Sequence, residues 1–406
     1  MNIGLFLAKK IQNTKSQTFS SLIINVGVLS ISIAVSVLII SFFVLFGFKN
    51  TIKNKLFSLT SHLQVNKFTV NRSFEEASMP NNLQLIQLAK KNANIESINK
   101  VAFKSVILKS EEEISGVVFK GIDKDFDWNA FSPNIIKGRK INYNSSEISN
   151  ELIISKKLAQ EINVKLNDDL LIYFIQDPPR ARKLKIVGIY ESNVEEMDQI
   201  YVLGDLALIQ KINNWENGEF GHFEIFLKDI DKLDVAKNEM LTIFPQEYQV
   251  LKVTEILPQF FDWFKLLDRN ILIVIILIVI VASFNMISVL LIMIMERTPM
   301  IGLLKAIGSL NGQIRAIFLI NGAKIIFKGL LLGNFLGLGL CFIQDKFKII
   351  HLDPVNYYMN FVPIAWNLPI ILAINIGVFI IVLLVLLIPS FLIRNISPVE
   401  ALKYKD

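Results

Sequence analysis

A single cysteine in 406 residues excludes a disulfide within the chain. That residue, Cys341, lies inside an apolar run, where packing is the usual role of a free thiol. It is far from the start, so no lipoprotein-type signal is expected. The three histidines, His62, His222 and His351, are widely separated and have no cysteine companions, which argues against a zinc site. The phosphate loop G-x-x-x-x-G-K-[ST] is missing, so any ATP used by the protein is expected on another subunit. No nucleophile elbow or catalytic triad pattern is present. "DKDFDWN", Asp123 to Asn129, starts like a calcium loop but has Trp128 for the glycine and Asn134 for the closing glutamate, so it reads as a solvated turn. No repeat of 20–50 residues is evident.

What the chain does have is apolar length. It is 52% hydrophobic, and a membrane span needs about 20 largely apolar residues. Leu22 to Phe46 and Ile271 to Met295 carry no charge at all; the run of roughly Ile314 to Ile343, with Arg315 at its start, is interrupted by Lys324 and Lys328; Leu368 to Ile388 is clean up to Pro389. The first run is too long for a signal-peptide core, and no small-x-small cleavage site follows it, so it reads as a retained anchor. The organisation expected is a cytoplasmic amphipathic segment 1–21, a first span 22–46 and an outside domain 47–269. A second span 270–295, a cytoplasmic helix 296–311, a third span 312–343, a short outer loop 344–367, a fourth span 368–393 and a cytoplasmic tail 394–406 complete it.

Orientation follows from lysine and arginine in the short flanks. Lys9, Lys10 and Lys15 precede the first span; Arg297, Lys305 and Arg315 flank the second and third; Arg394, Lys403 and Lys405 follow the fourth. The other side offers Lys346 and Lys348. Both termini are therefore expected in the cytoplasm and the large domain outside. In residues 47–269, 29 Lys and Arg face 31 Asp and Glu, so the formal +6 of the chain belongs to the membrane flanks. That balance points to anionic lipid and away from nucleic acid.

The outside segment mixes two periodicities. "HLQVNKF", "LLIYFIQ", "KLKIVGIY", "HFEIFLKDI" and "YQVLKV" read as half-buried strands, whereas "NNLQLIQLAKKN", "SKKLAQEINV" and "DKLDVAKNEMLTIF" have helical spacing. An α+β domain with a middle insertion is expected. One loop, "IQDPPRARKLKI", joins two strand-like runs through Pro178 and Pro179 and carries Arg180 and Arg182. It reads either as an exposed turn or as a stiff basic finger that docks a partner.

"MERTPMIGLLKAIGS" separates the second and third spans. Thr298 suits an N-cap, Pro299 the first helical turn and Gly308 a left-handed end. A stub of that length, about 13 Å, cannot cross a bilayer. Met300, Leu303, Leu304 and Ile307 share a face at helical spacing, and that stripe needs either the membrane interface or a socket in a cytoplasmic protein.

Here the chain resembles FtsX-like ABC permeases. "ERTPMIGLLKAIGS" looks like their coupling helix, and "RNISPVEALKYKD" like their closing signature. "VASFNMIS", "FLAKK", "GFKNTIKNKLFSLTSHLQV" and "VNYYMNFVPIAW" resemble the lipoprotein-releasing branch of that family. The resemblance implies four transmembrane helices with a large extracytoplasmic α+β domain inserted after the first. It implies no catalysis and no cofactor on this chain, with ATP and magnesium held by a cytoplasmic ABC ATPase dimer. That dimer would pull on the joint formed by Thr298, Pro299, Met300, Ile301, Gly302, Leu303, Leu304, Lys305, Ile307 and Gly308. Further implied partners are a second permease copy or paralogue, a lipoprotein substrate, a periplasmic lipoprotein carrier and the lipids of a bacterial inner membrane. One permease type in that branch has a protruding hairpin that receives the carrier, and the loop with Pro178, Pro179, Arg180 and Arg182 is a shorter counterpart. The alternatives are a division-type permease that relays ATPase motion to cell-wall hydrolases, and an efflux permease of the MacB kind.

Three smaller readings concern the spans. Gly329, Gly333 and Gly337, at four-residue spacing, allow a neighbouring helix to approach closely. Lys324 and Lys328 are expected to snorkel toward headgroups. Phe42, Phe43 and Phe46 are either lipid-facing filler or the wall of an acyl-chain cavity.

Overall fold

The computed structural model describes residues 19–69, 75–110, 113–143 and 148–397. "FLAKK" and most of the closing signature lie outside the described residues. The chain divides into two compact units: a membrane unit, made of the residues up to 50, 264–351 and from 361 onward, and a domain of residues 51–263 with 352–360. Residues 352–360, taken from the sequence as part of a separate outer loop, thus cluster with the domain.

Among the described residues four helices are long and apolar enough to cross a membrane, and the protein is a membrane protein: Leu22–Leu59, Pro258–Glu296, Asn311–Phe347 and Leu368–Asn395, here spans 1 to 4. Span 1 belongs to one unbroken helix, Phe19–Leu59, that runs well past the apolar run ending at Phe46. Hydropathy falls there but helical periodicity does not. Ile52, Leu56 and Leu59 recur at i, i+4 and i+7 and are all buried. Span 2 likewise starts at Pro258, before its apolar run, with proline at the helix start where the missing N–H is harmless. Span 3 packs on span 1 by close backbone approach. A Cβ on Gly333 would lie 2.7 Å from the Ser32 carbonyl oxygen and 2.8 Å from Val35 Cβ; one on Gly329 would lie 2.7 Å from Ile31 Cβ, and one on Gly337 3.1 Å from Ser36 Cα. Spans 3 and 4 are joined by reciprocal amides: Asn334 Nδ2 donates to Asn375 Oδ1 at 2.6 Å, and Asn375 Nδ2 to Asn334 Oδ1 at 3.0 Å.

The domain is built on a ten-stranded sheet of order β10-β1-β9-β2-β3-β8-β5-β7-β4, with β6 pairing β2 and β7. The strands are β1 Leu63–Lys67, β2 Ile95–Lys109, β3 Ile114–Ile122, β4 Ile135–Gly138, β5 Glu151–Ser155, β6 Asp169–Phe174, β7 Arg180–Tyr190, β8 Tyr201–Asp205, β9 His222–Leu227 and β10 Tyr248–Lys252. Long β2 serves both halves. Its first residues pair with β9 and its last with β6, while β3 pairs with it from Val101 to Lys109. The middle of the domain is therefore continuous with the sheet made by its ends. Two pairs, β3 with β8 and β5 with β7, are parallel. Such pairs need a crossover; the one from β5 to β7 contains the helix Lys156–Glu161, into which β5 runs directly, as β8 runs directly into the helix Leu206–Asn213. Their last residues cap those helices: Ser155 Oγ accepts from Leu158 N at 3.0 Å, and Asp205 Oδ1 from Ala207 N at 2.9 Å.

Candidate functional site in the membrane unit

Spans 1 and 2 enclose an apolar groove of about 470 Å³. One wall is Val26, Leu29, Ser30, Ile33, Ala34 and Val37, a single face of span 1 at helical spacing; the other is Leu277, Ile278, Val281, Ala282 and Asn285. Its walls include exposed Leu29, Ile33, Leu277 and Val281. One polar contact lies within it, where Asn285 Nδ2 donates to Ser30 Oγ at 2.6 Å, and further along the same two helices Lys49 Nζ lies 2.8 Å from Asp268 Oδ2. The groove has the volume of ordinary small-molecule sites, about 300–1,000 Å³, and almost no polar lining.

Phe42, Phe43 and Phe46, read from the sequence as either lipid-facing filler or the wall of an acyl-chain cavity, do not line this groove. Phe43 is fully buried under Trp366, ring centroids 5.5 Å apart, and its carbonyl accepts from Ala365 N at 3.1 Å. Phe42 and Phe46 are half-buried and stack on each other at 6.2 Å. The groove face follows i, i+3, i+4 and i+7 from Val26, and the 3.6-residue period rotates Phe42 and Phe46 off it. Gly47 completes the contact under "FVPIAW": a Cβ there would meet the Pro363 carbonyl oxygen at 2.4 Å.

The short helix runs from Thr298 to Ala306. Its N-cap is Arg297, not Thr298, whose hydroxyl donates back to the Ile294 carbonyl at 3.2 Å. The hydroxyl thus serves the end of span 2 and leaves the new helix uncapped by a side chain. Pro299 sits in the first turn as expected from its missing N–H. The C-terminus closes in a Schellman turn: Gly308 has φ +90°, its N–H reaches Lys305 O at 3.1 Å, and Ser309 N reaches Leu304 O at 3.0 Å.

The apolar residues of this helix do not form one outward stripe. Ile301 and Gly302 are buried in the membrane unit, and Met300 and Leu304 are half-buried against the same core. Leu303 and Ile307 point away, at 55% and 70% exposure, next to exposed Met295 and Leu310. Reading the helix without Ile301 assigned its inward side to the outside. Lys305 also turns inward: Nζ donates to the carbonyls of Ile393 at 2.7 Å, Ile396 at 2.8 Å and Arg394 at 3.2 Å. Desolvation there lowers its pKa below the ordinary lysine value. Lys324 is half-buried and Lys328 exposed on span 3.

The proline loop is a β6–β7 hairpin with a cis Asp177–Pro178 bond. Arg180 is not free at its tip. Its guanidinium donates to the carbonyls of Lys211 at 3.1 Å and Ile212 at 3.0 Å, which closes the C-terminus of the helix Leu206–Asn213. Arg182 reaches its neighbour's carbonyl, that of Ala181, and Lys183 pairs with Asp169. Of the four residues assigned to carrier docking, Arg180 already has a structural partner, whereas Pro178 and Pro179 remain exposed.

One polar cluster had no sequence signal, because its members are scattered along the chain. Lys120 Nζ lies 2.7 Å from Glu224 Oε1 and also donates to Leu59 O at 2.8 Å, and His222 Nδ1 lies 2.7 Å from Glu76 Oε1. Lys120, Glu224 and His222 are buried. Burial works against a charged His222, but Glu76 and Glu224 outweigh it and hold the pKa up at about 9. Burial likewise opposes charge on Glu224, yet Lys120 and His222 leave its pKa below the usual value. His62 accepts from Leu227 N through Nδ1 at 2.7 Å, and burial pushes its pKa down to about 4. The Asp123–Asn129 stretch is a turn in which Asp123 and Asp127 accept main-chain N–H groups of Lys124 and Asn129. Among the described residues, no group of three His, Cys, Asp or Glu side chains could hold a metal ion.

Residues 27–242 match the family model of the MacB-like periplasmic core domain, and residues 272–398 that of the FtsX-like permease C-terminal region. The lipoprotein-releasing system transmembrane protein LolC of Buchnera aphidicola (strain Sg) is 26% identical over 88% of this chain and 88% of its own length. LolE of Haemophilus influenzae is 21% identical over 99% of both. Among solved structures, the periplasmic region of MacB from Actinobacillus actinomycetemcomitans covers 50% of this chain and 94% of its own, with 10% identity and a TM-score of 0.35.

Proposed function

The chain belongs to the FtsX-like permease family with a MacB-like periplasmic core domain, and we propose that it is the membrane subunit of an ATP-driven transporter that extracts lipoproteins from the inner membrane and passes them to a periplasmic carrier. The observation that carries this reading is the groove between spans 1 and 2, apolar along both walls and lined by residues exposed on the membrane unit. The long alignments with LolC and LolE support it.

In this reading the chain binds no nucleotide and catalyses nothing. A separate cytoplasmic ATPase dimer holds ATP and magnesium, and seats on exposed Leu303 and Ile307. A second permease, identical or paralogous, faces the groove. Both termini lie in the cytoplasm. Acyl chains enter between the spans, and the ATPase-driven movement of the short helix closes the walls behind them. Each CH₂ withdrawn from apolar surroundings costs about 0.8 kcal/mol, so release needs an apolar receiver, which the carrier supplies.

The test is release of a triacylated lipoprotein from proteoliposomes that hold the permease, its ATPase and the carrier. Filling the groove with Ala282→Trp should abolish ATP-dependent release while ATP turnover continues. Unimpaired release by that variant would contradict the reading.

A further inference from the structure

The short helix has two sides, and only one of them is available to an ATPase. Ile301 and Lys305 are four residues apart and share the inward side; Leu303 and Ile307 share the outward one. Ile301 is fully buried, and so is Ile393 at the end of span 4, within one continuous core. Lys305 adds a polar link at the same place. An ammonium has three donors, and here three carbonyl oxygens, those of Ile393, Arg394 and Ile396, lie within 3.2 Å of Nζ. The final carbonyls of a helix lack partners within it and favour a cation. Such a cation normally comes from the same helix. Here it comes from a residue about 90 positions earlier in the chain.

The covalent chain alone would not connect these parts. The short helix continues from span 2 and leads into span 3, and span 4 is reached only after the whole of span 3 and the loop beyond it. A second contact fastens the same turn to span 3: Arg315 Nε donates to Ser390 Oγ at 3.3 Å, and its guanidinium lies 4.0 Å from the centre of the Phe391 ring.

We propose that Lys305 is a positioning residue that latches the short helix to the C-terminal turn of span 4, so that a displacement imposed on the helix by the ATPase moves span 4 together with span 2. The proposal rests on the reading of the helix as the ATPase-driven joint, and it gives the lysine of that joint an intramolecular role. Arg315 and Phe391 make span 3 part of the same moving body. Without the latch, the ATPase still docks on Leu303 and Ile307 and still turns over, but its stroke is spent on span 2 alone.

The experiment uses the complete transporter in proteoliposomes and measures lipoprotein released per ATP hydrolysed. Lys305→Met keeps the aliphatic stem and removes the donors. It should assemble with the ATPase and hydrolyse ATP, with release per ATP lowered about fivefold or more, the lower range of typical couplings. Lys305→Arg, which keeps charge and donors, should recover most of the ratio. To separate the latch from a folding defect, Lys305→Cys is placed in a Cys341→Ala background and assayed before and after alkylation with bromoethylamine. That reagent builds a lysine-like ammonium on the folded protein, so the ratio should rise in the same sample. A wild-type ratio in Lys305→Met, or no recovery after alkylation, overturns the latch. Leu303→Asp is the separate control for the joint itself. If it leaves ATPase binding intact, the underlying reading fails whatever Lys305 does.

Discussion

The membrane unit and the domain both bury apolar cores but draw their elements together by different contacts. In the domain, strands with β-branched and aromatic side chains close a sheet, and even the charges at its centre are paired, as Lys120 is with Glu224. In the membrane unit a core of apolar side chains such as Ile31, Leu290 and Ile326 is joined by close backbone contact, with Gly329, Gly333 and Gly337 against span 1, while other large apolar side chains such as Phe335 and Phe284 face outward. The solvent explains the difference. Water drives apolar surface inward, whereas lipid is as apolar as leucine, so helices associate through close packing and a few amide bonds. A groove left open in the membrane unit is therefore tolerated, where the same apolar groove on the domain would be a liability.

Breaking the domain's rule should have the largest effect. Lys120→Met leaves Glu224 buried beside an emptied site and should cost about 3–5 kcal/mol, seen as a lowered midpoint of thermal unfolding of the domain by hydrogen exchange. An unchanged midpoint would mean the cluster is hydrated. Breaking the membrane unit's rule comes next. Gly333→Leu forces apart spans 1 and 3 at a contact of 2.7 Å and should cost about 1–3 kcal/mol. Its measure is aggregation temperature in detergent, with Gly339→Leu, which has open space around it, as the silent control.

Acidity sharpens the comparison, because the buried titratable histidines are in the domain. His222 has a folded pKa of about 9, above its ordinary 6.5. The folded state thus holds the extra proton, and the stabilisation is complete below pH 6.5 and lost as pH rises through 9. His62, depressed to about 4, acts in reverse and weakens the fold as pH falls below 6.5. Domain stability should therefore peak near pH 6.5 and decline on both sides. His222→Gln should flatten the alkaline limb, and a limb unchanged by that substitution would remove His222 from the account. The smallest contrast lies in the hairpin. Arg180→Ala loses its bonds to the helix end and should cost about 1 kcal/mol, whereas Arg182→Ala should stay within about 0.5 kcal/mol. Equal effects would mean that both arginines are simply exposed.

Periodicity and hydropathy made much of this legible. The four spans, the strands β1, β6, β7, β9 and β10, and the left-handed Gly308 all have local causes, and local causes can be read from neighbouring residues. Strands β3, β5 and β8 escaped because their runs are buried on both faces and lose the alternation that marks a half-buried strand. Strand β2 escaped because its burial alternates while its residue types do not, with Lys104 on the buried face and Phe103 and Ile107 on the other. The helix ends escaped because apolar length stops at Phe46 while the helix continues to Leu59. The groove escaped because the face that meets span 2 is made largely of valine, leucine and isoleucine, which no residue type sets apart from the other apolar faces of span 1. Lys305 and Arg180 look like surface cations in sequence. Their partners are backbone carbonyls, which every residue has, so no residue type marks them.

The account stands or falls on what occupies the groove. A photoreactive amino acid at Leu277, carried in the complete transporter with ATP hydrolysis blocked, should crosslink to an acylated lipoprotein and not to the same protein lacking its acyl chains. The same probe at Phe335, exposed on span 3 but outside the groove, should give only lipid adducts. Equal capture of acylated and unacylated protein at Leu277, or capture of lipoprotein at Phe335 alone, would contradict the central claim that spans 1 and 2 hold the acyl chains.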